Sequence, residues 1–265
     1  MNKRLFFLFT VLSGILLGVG FLLGGILGLT IGLGIAFIIN IFSYYNSDSW
    51  ILKMYNAKSM RKMDYPEIYS AVKSMCKKAD IPLPKLYMID KTLPNAFAVG
   101  RDPSHSAVAL TTGLLSELSV DEIEGVLAHE ISHIKHRDTL INMIASVMGA
   151  AITYLSYMFL FGEKRGGGGL LMFVLAPLSA GLLRMAISRG REFYADKEGA
   201  DIKSPTSLAS ALEKIEEISK KHNMKGNAAT SNLFIVNPFR GGISDLFSTH
   251  PPTEERVRRL RSMTV

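Results

Sequence analysis

The chain has 265 residues, enough for one or two domains, with 48% hydrophobic residues and a net charge of +7. Its mean hydropathy of +0.22 is high for a soluble enzyme, and the apolar excess sits in two blocks, so membrane topology accounts for the basic balance better than nucleic-acid binding does. Cys76 is the only cysteine, which excludes an intrachain disulfide and a thiolate-rich structural zinc site.

The first apolar block opens the chain. Residues 5–23 form an uncharged run long enough to cross a bilayer at 1.5 Å per residue. Gly24 and Gly25 break it, and residues 26–42 form a second uncharged run. The pair reads as a helical hairpin with almost no loop. Lys3 and Arg4 precede it, and Lys53, Lys58, Arg61 and Lys62 follow it. Both flanks are therefore expected in the cytoplasm. A cleavable signal peptide is the competing reading. The apolar run is long for one, a second span follows at once, and no clear A-x-A site is present.

A soluble segment follows. Residues 66–78 read as a helix with Ile68, Val72 and Met75 or Cys76 on one face. Residues 85–89, 95–100 and 106–112 are strand candidates, the last two separated by a turn at Asp102-Pro103. Ser119 and Glu122 make a capping-box pattern that starts a helix running through His136. Ile123, Leu127, Ile131 and Ile134 share its apolar face.

That helix carries His129-Glu130-Ile131-Ser132-His133, an H-E-x-x-H pattern. Residues i and i+4 lie one above the other on a helix, so His129 and His133 present two imidazoles to one metal ion. Glu130 lies beside the first imidazole and can reach a water at that metal. Two neutral nitrogens and a nearby carboxylate are what a zinc hydrolase needs. With 6 His and 13 Glu in the chain, chance yields this pattern in roughly 0.7% of such sequences, which favours chemistry over a charged surface helix.

The second apolar block spans residues 139–187. Residues 140–161 and 170–187 are its arms, joined by Glu163, Lys164, Arg165 and a glycine run. Arg137 precedes it, Arg184 lies near its end, and Arg189 and Arg191 follow, marking the cytoplasmic side again. The alternative is a helical hairpin buried in a soluble core, but both arms are apolar all round. The chain thus divides into a membrane hairpin over residues 1–45, a discontinuous soluble domain over 46–138 and 188–265, and a second hairpin over 139–187.

Residues 191–200 read as a helix, and Ser204-Pro205 starts another that runs to about residue 222. Residues 223–248 are loop-rich, and 253–263 form a short basic helix. A catalytic zinc site needs a third protein ligand. Glu192 and Asp196 share a helix face at i and i+4, so one carboxylate could bind metal while the other holds a ligand imidazole. Spacing alone leaves open that Glu192 pairs with Arg189 or Arg191. His136 competes for the same role only if its helix bends.

H-E-x-x-H, an apolar hairpin, Glu192-Phe193-Tyr194-Ala195-Asp196 and Thr249-His250-Pro251-Pro252 together resemble the HtpX family of membrane zinc proteases. These are relatives of the prenyl-protein peptidases. Pro94 to Ala98 and Thr111-Thr112-Gly113 extend the likeness over nearly the whole chain. The resemblance implies an α+β, zincin-like (gluzincin) catalytic domain with a small mixed sheet, plus four transmembrane helices as two hairpins. It implies one Zn²⁺ per chain held by His129, His133 and Glu192, with Glu130 catalytic, which leaves Asp196 as the carboxylate that the helical spacing offers to a ligand imidazole. It also implies a metalloendopeptidase of the cell inner membrane, multi-pass with a cytoplasmic catalytic domain. Its partners are the lipid bilayer and damaged or misfolded membrane proteins in stress-linked quality control, with no role for nucleic acid.

An oxyanion needs a second electrostatic group. His250, Tyr194 and Arg256 are candidates, and the family's His-Pro motif favours His250 as a catalytic residue; a rigid turn at Pro251-Pro252 is its bland reading. Residues 94–99 and 107–112 could offer a strand edge to an extended substrate, or could simply be sheet core. A continuous helix places Glu130 within roughly 14 Å of the second apolar block, so the site is expected just above the cytoplasmic face. A prenyl-protein-type peptidase is the nearer alternative. A zinc-binding membrane scaffold without turnover is the further one, and Glu130 argues against it.

Overall fold

The computed structural model describes residues 3–144, 189–221, 234–236 and 251–263. Most of the second apolar block, His250 and nearly all of the loop-rich tail lie outside them.

The N-terminal helical segment α1 (Lys3–Met54) is two arms folded at Gly24-Gly25. Gly25 has φ 56 and ψ −137, a conformation open to glycine and costly for any side chain. The arms then pack closely. A methyl on Gly20 would meet the Gly28 carbonyl oxygen at 2.3 Å, and one on Gly32 the Leu16 carbonyl oxygen at 2.6 Å. Asn40 donates across the arms to Ser13 at 3.0 Å. The second arm continues past residue 42 to Met54. Among the described residues, Phe6–Met54 is the one helical segment long and apolar enough to cross a membrane. Its surface displays Phe21, Leu22, Leu23, Ile26 and Leu27 around the fold point.

The soluble part is α+β with a small mixed sheet. Strands β1 (Lys58–Ser59), β2 (Lys85–Ile89), β3 (Ala96–Asp102) and β4 (His105–Thr111) are ordered β1-β2-β4-β3. β2 runs parallel to β4, and the other pairs are antiparallel. β1 was invisible to the periodicity argument, which needs longer runs. β4 is paired on both sides, so residues 107–112 cannot offer a free edge; among the described strands β3, like β1, lies at an edge.

Alternation along the strands gives the sheet two buried faces. Leu86, Ala96, Ala98, Val108 and Leu110 pack on one side with helices α2 (Pro66–Ala79), α4 (Val120–Lys135) and α6 (Pro205–Lys221). Phe97, Val99, Ala107 and Ala109 face the other side, where Leu8, Leu12, Ile51 and a helical segment over 138–144 cover them. Phe97 and Val99 are therefore core, packed against the base of the hairpin. The short helix α3 (Thr112–Glu117) follows β4, with Thr111 as its cap. Helices α5 (Arg189–Ile202) and α7 (Thr253–Arg261) complete the described chain.

Candidate metal centre

Helix α4 begins at the expected capping box. Ser119 Oγ accepts from the Glu122 N–H, and Glu122 accepts from the Ser119 N–H at 2.7 Å. Ile123, Val126, Leu127, Ile131 and Ile134 bury one side of the helix. The histidines therefore face inward as well, 1% and 6% exposed for His129 and His133, a burial that polar groups accept only with partners. Helix α5 crosses α4 at Gly199, where a methyl would meet the His129 backbone at 3.0 Å. That approach brings Glu192, one of the least exposed side chains, over both imidazoles.

His129 Nε2 and His133 Nε2 are 3.1 Å apart. Glu192 Oε2 lies 3.7 Å from the first and Oε1 3.5 Å from the second. Zinc bonded at 2.0–2.1 Å in a tetrahedron spaces its donors by about 3.4 Å. The three groups fit such an ion, and they form the metal-type cluster of the described residues.

Each imidazole turns its other nitrogen to a carboxylate. His129 Nδ1 is 3.0 Å from Asp196 Oδ1, and His133 Nδ1 is 3.3 Å from Asp138 Oδ2. A proton held at Nδ1 leaves the Nε2 lone pair for a metal. Each carboxylate in turn meets an arginine. Arg256 clamps Asp196 with Nε at 2.8 Å and Nη2 at 2.7 Å, and Arg191 pairs with Asp138. Burial pushes the Asp196 carboxyl up, but the Arg256 charge and its hydrogen bonds outweigh that and hold it at about 2.

Glu130 projects into the same cleft. The Ala98 N–H, on the side of β3 away from β4, donates to its Oε2 at 2.9 Å. Burial pushes this carboxyl above its usual range, more than the two histidines lower it. The cleft between Ala96, Phe97, Ala98, Asn142 and Phe234 holds about 20 Å³ above the imidazoles, room for a water.

The remaining predicted residues separate cleanly. His136 caps α4 and bonds Glu198 at 2.6 Å, so it does not approach the imidazoles. Glu198 also accepts from Ser132 and Lys135, tying α4 to α5. Tyr194 is half exposed, with its ring against His136, away from the cleft. Arg256 Nη2 comes within 3.5 Å of His129 Nε2, yet its guanidinium is committed to Asp196 and the Ile235 carbonyl. His250 lies outside the described residues. The sequence reading missed Asp138, whose only signal was an acid five residues after His133 at the start of an apolar run.

Comparison with known proteins gives the same site a family. The profile of Peptidase family M48 matches residues 63–264. The chain belongs to peptidase family M48. It is 48% identical to a protease HtpX homolog of Pyrococcus furiosus, over 97% of this chain and 94% of that protein. It is 44% identical to one of Methylibium petroleiphilum, over 97% and 95%. Among solved structures it is similar to S. mikatae Ste24p, with a TM-score of 0.54 and 19% identity over 98% of this chain and 63% of that one; that likeness concerns the fold alone. The M48 membership makes the chain an HtpX-type metalloprotease, and the apolar α1 hairpin fits a membrane protease.

Proposed function

We propose that this M48 member is a zinc endopeptidase that cuts membrane proteins in their cytoplasmic regions, as part of their quality control. In this reading His129, His133 and Glu192 hold the ion, and Glu130 is the general base. The observation that carries it is the spacing of the three donors at 3.1, 3.5 and 3.7 Å beside a buried carboxylate with a role of its own. Bound there, zinc would supply a Lewis acid and a more acidic water.

The chain's own residues divide the remaining work. Ala98 N–H fixes one Glu130 oxygen, which leaves the other to take a proton from the attacking water. Burial raises the proton affinity of that carboxyl, so it can hold the proton and pass it to the leaving nitrogen. Asp196 and Asp138 keep both imidazoles in the donor tautomer. The edge of β3 that faces away from β4 lies beside Glu130, placed to pair with an extended substrate backbone. His250 is proposed as the oxyanion donor on the resemblance of its His-Pro motif.

The cytoplasmic placement rests on Lys53, Lys58, Arg61 and Lys62 after the hairpin. Cysteines placed at Lys62 and Lys220 should label from the cytoplasmic side only, and one at Gly167 from the other. Purified protein in lipid should release fragments from an unfolded membrane-protein substrate when zinc is present and not after chelation. Cleavage that persists with chelator would overturn the reading.

A further inference from the structure

The hairpin base and the β3–β4 turn enclose a second cavity, of about 770 Å³, separate from the metal cleft. Phe9, Tyr44, Leu140 and Ile141 make its apolar side, and Arg101 and Arg137 its basic side. Arg137 sits in the turn between α4 and residues 138–144, with φ 58 and its side chain exposed. Arg101 lies over the Tyr45 ring at 5.7 Å. Asp102 borders the cavity too, but it is engaged by His105 at 2.9 Å and by Arg101 at 3.6 Å. Two guanidinium groups against one carboxylate leave the cavity cationic.

Its depth is set by the hairpin. Phe9 lies 15 residues before Gly24 and Tyr44 lies 19 after Gly25, or roughly 22 and 28 Å along a helix. A bilayer's hydrocarbon core is about 30 Å thick. With the fold point at the far side, the cavity therefore lies at the near headgroup level, where tyrosines collect. Tyr44 and Tyr45 stack edge to face there, 4.9 Å between centroids.

We propose that this cavity binds an anionic phospholipid, its phosphate on Arg101 and Arg137 and its chains along the half-buried Phe9 and Tyr44. A guanidinium pair suits a phosphate, and an apolar wall open to the hairpin suits an acyl chain. A free phosphate ester shares the first feature and lacks the second. The proposal rests on the membrane reading above and needs no proteolysis. Arg137 is the residue before Asp138, so the lipid would sit one residue from the carboxylate that faces His133.

The test uses full-length Glu130→Gln protein in bilayers of phosphatidylcholine with phosphatidylglycerol, reading retained lipid by native mass spectrometry. Phosphatidylglycerol should be retained over phosphatidylcholine. Arg101→Gln/Arg137→Gln should weaken that retention roughly fivefold per arginine, equivalent to about 1 kcal/mol each. Arg101→Lys/Arg137→Lys should keep much of it, which guards against misfolding as the cause. Lys73→Gln/Lys77→Gln, with the same charge change on α2, should not matter. Equal retention in the double glutamine variant, or no preference for phosphatidylglycerol, overturns the proposal. Glycerol phosphate that competes as well as the lipid overturns the lipid as source. Protein that fails to float with vesicles overturns the membrane reading and this site together.

Discussion

The two imidazoles of the H-E-x-x-H helix, proposed here as equivalent metal donors, are unequal in their support. His129 leans on Asp196, which is clamped twice by Arg256, a guanidinium 1% exposed and also bonded to the Ile235 carbonyl. His133 leans on Asp138 at the longer 3.3 Å, and the Arg191 behind it is 25% exposed. One arm is locked into the core by the C-terminal helix. The other is tied where the chain leaves for the second apolar block and where it returns. Helical spacing makes the donors, while the precision of the site is built from elsewhere in the chain.

The largest effects should ignore this asymmetry. His129→Ala, His133→Ala and Glu192→Ala should each lose bound zinc and lower cleavage by orders of magnitude, since three donors are the least a catalytic zinc site uses. Metal analysis and a cleavage assay check this. Full zinc and activity in any one of them removes that residue from the ligand set.

The next effects should expose the asymmetry. Arg256→Met strands a buried Asp196 charge and should cost about 3–5 kcal/mol of stability. Arg191→Met removes a partly solvated partner from Asp138, which is buried but still faces His133, and should cost less, about 1–3 kcal/mol. Denaturant midpoints in detergent compare the two, and equal losses would break the contrast. Asp196→Asn and Asp138→Asn should each weaken zinc binding on the order of 10–100-fold, with Asp196 nearer the upper figure because Arg256 holds it from two nitrogens. A chelator competition series ranks them. Tyr194→Phe should change the rate by less than about twofold, as a surface change does; a larger loss would return its hydroxyl to the candidates for oxyanion stabilisation.

What the sequence made legible was local. The capping box, the i and i+4 histidines and the carboxylates at Glu192 and Asp196 all follow from helical periodicity within one segment. The break at Gly24-Gly25 was equally plain, because only glycine suits that backbone. Asp138 and Arg191 were illegible for the opposite reason. Asp138 turns back to His133 only through the reversal at Arg137, with φ 58. Arg191 meets it across 52 intervening positions of chain, a closure that no short pattern encodes. The roles of β3 and β4 also depended on strand order, which alternation cannot supply: both strands are apolar on both faces, yet of the two only β3 lies at an edge among the described strands. Most of the second hairpin, and His250, lie outside the described residues.

The central claim is that one metal and one carboxylate perform the cleavage, and Glu130→Gln separates them. The amide keeps the shape and leaves His129, His133 and Glu192 in place, but it cannot accept a proton. Zinc per chain and fragment release should be measured on the same purified sample in lipid, beside the unaltered chain. The expected result is zinc at one per chain in both and cleavage in the unaltered chain alone. Cleavage by Glu130→Gln at a near-normal rate, with its zinc intact, would contradict the assignment of Glu130 as the base.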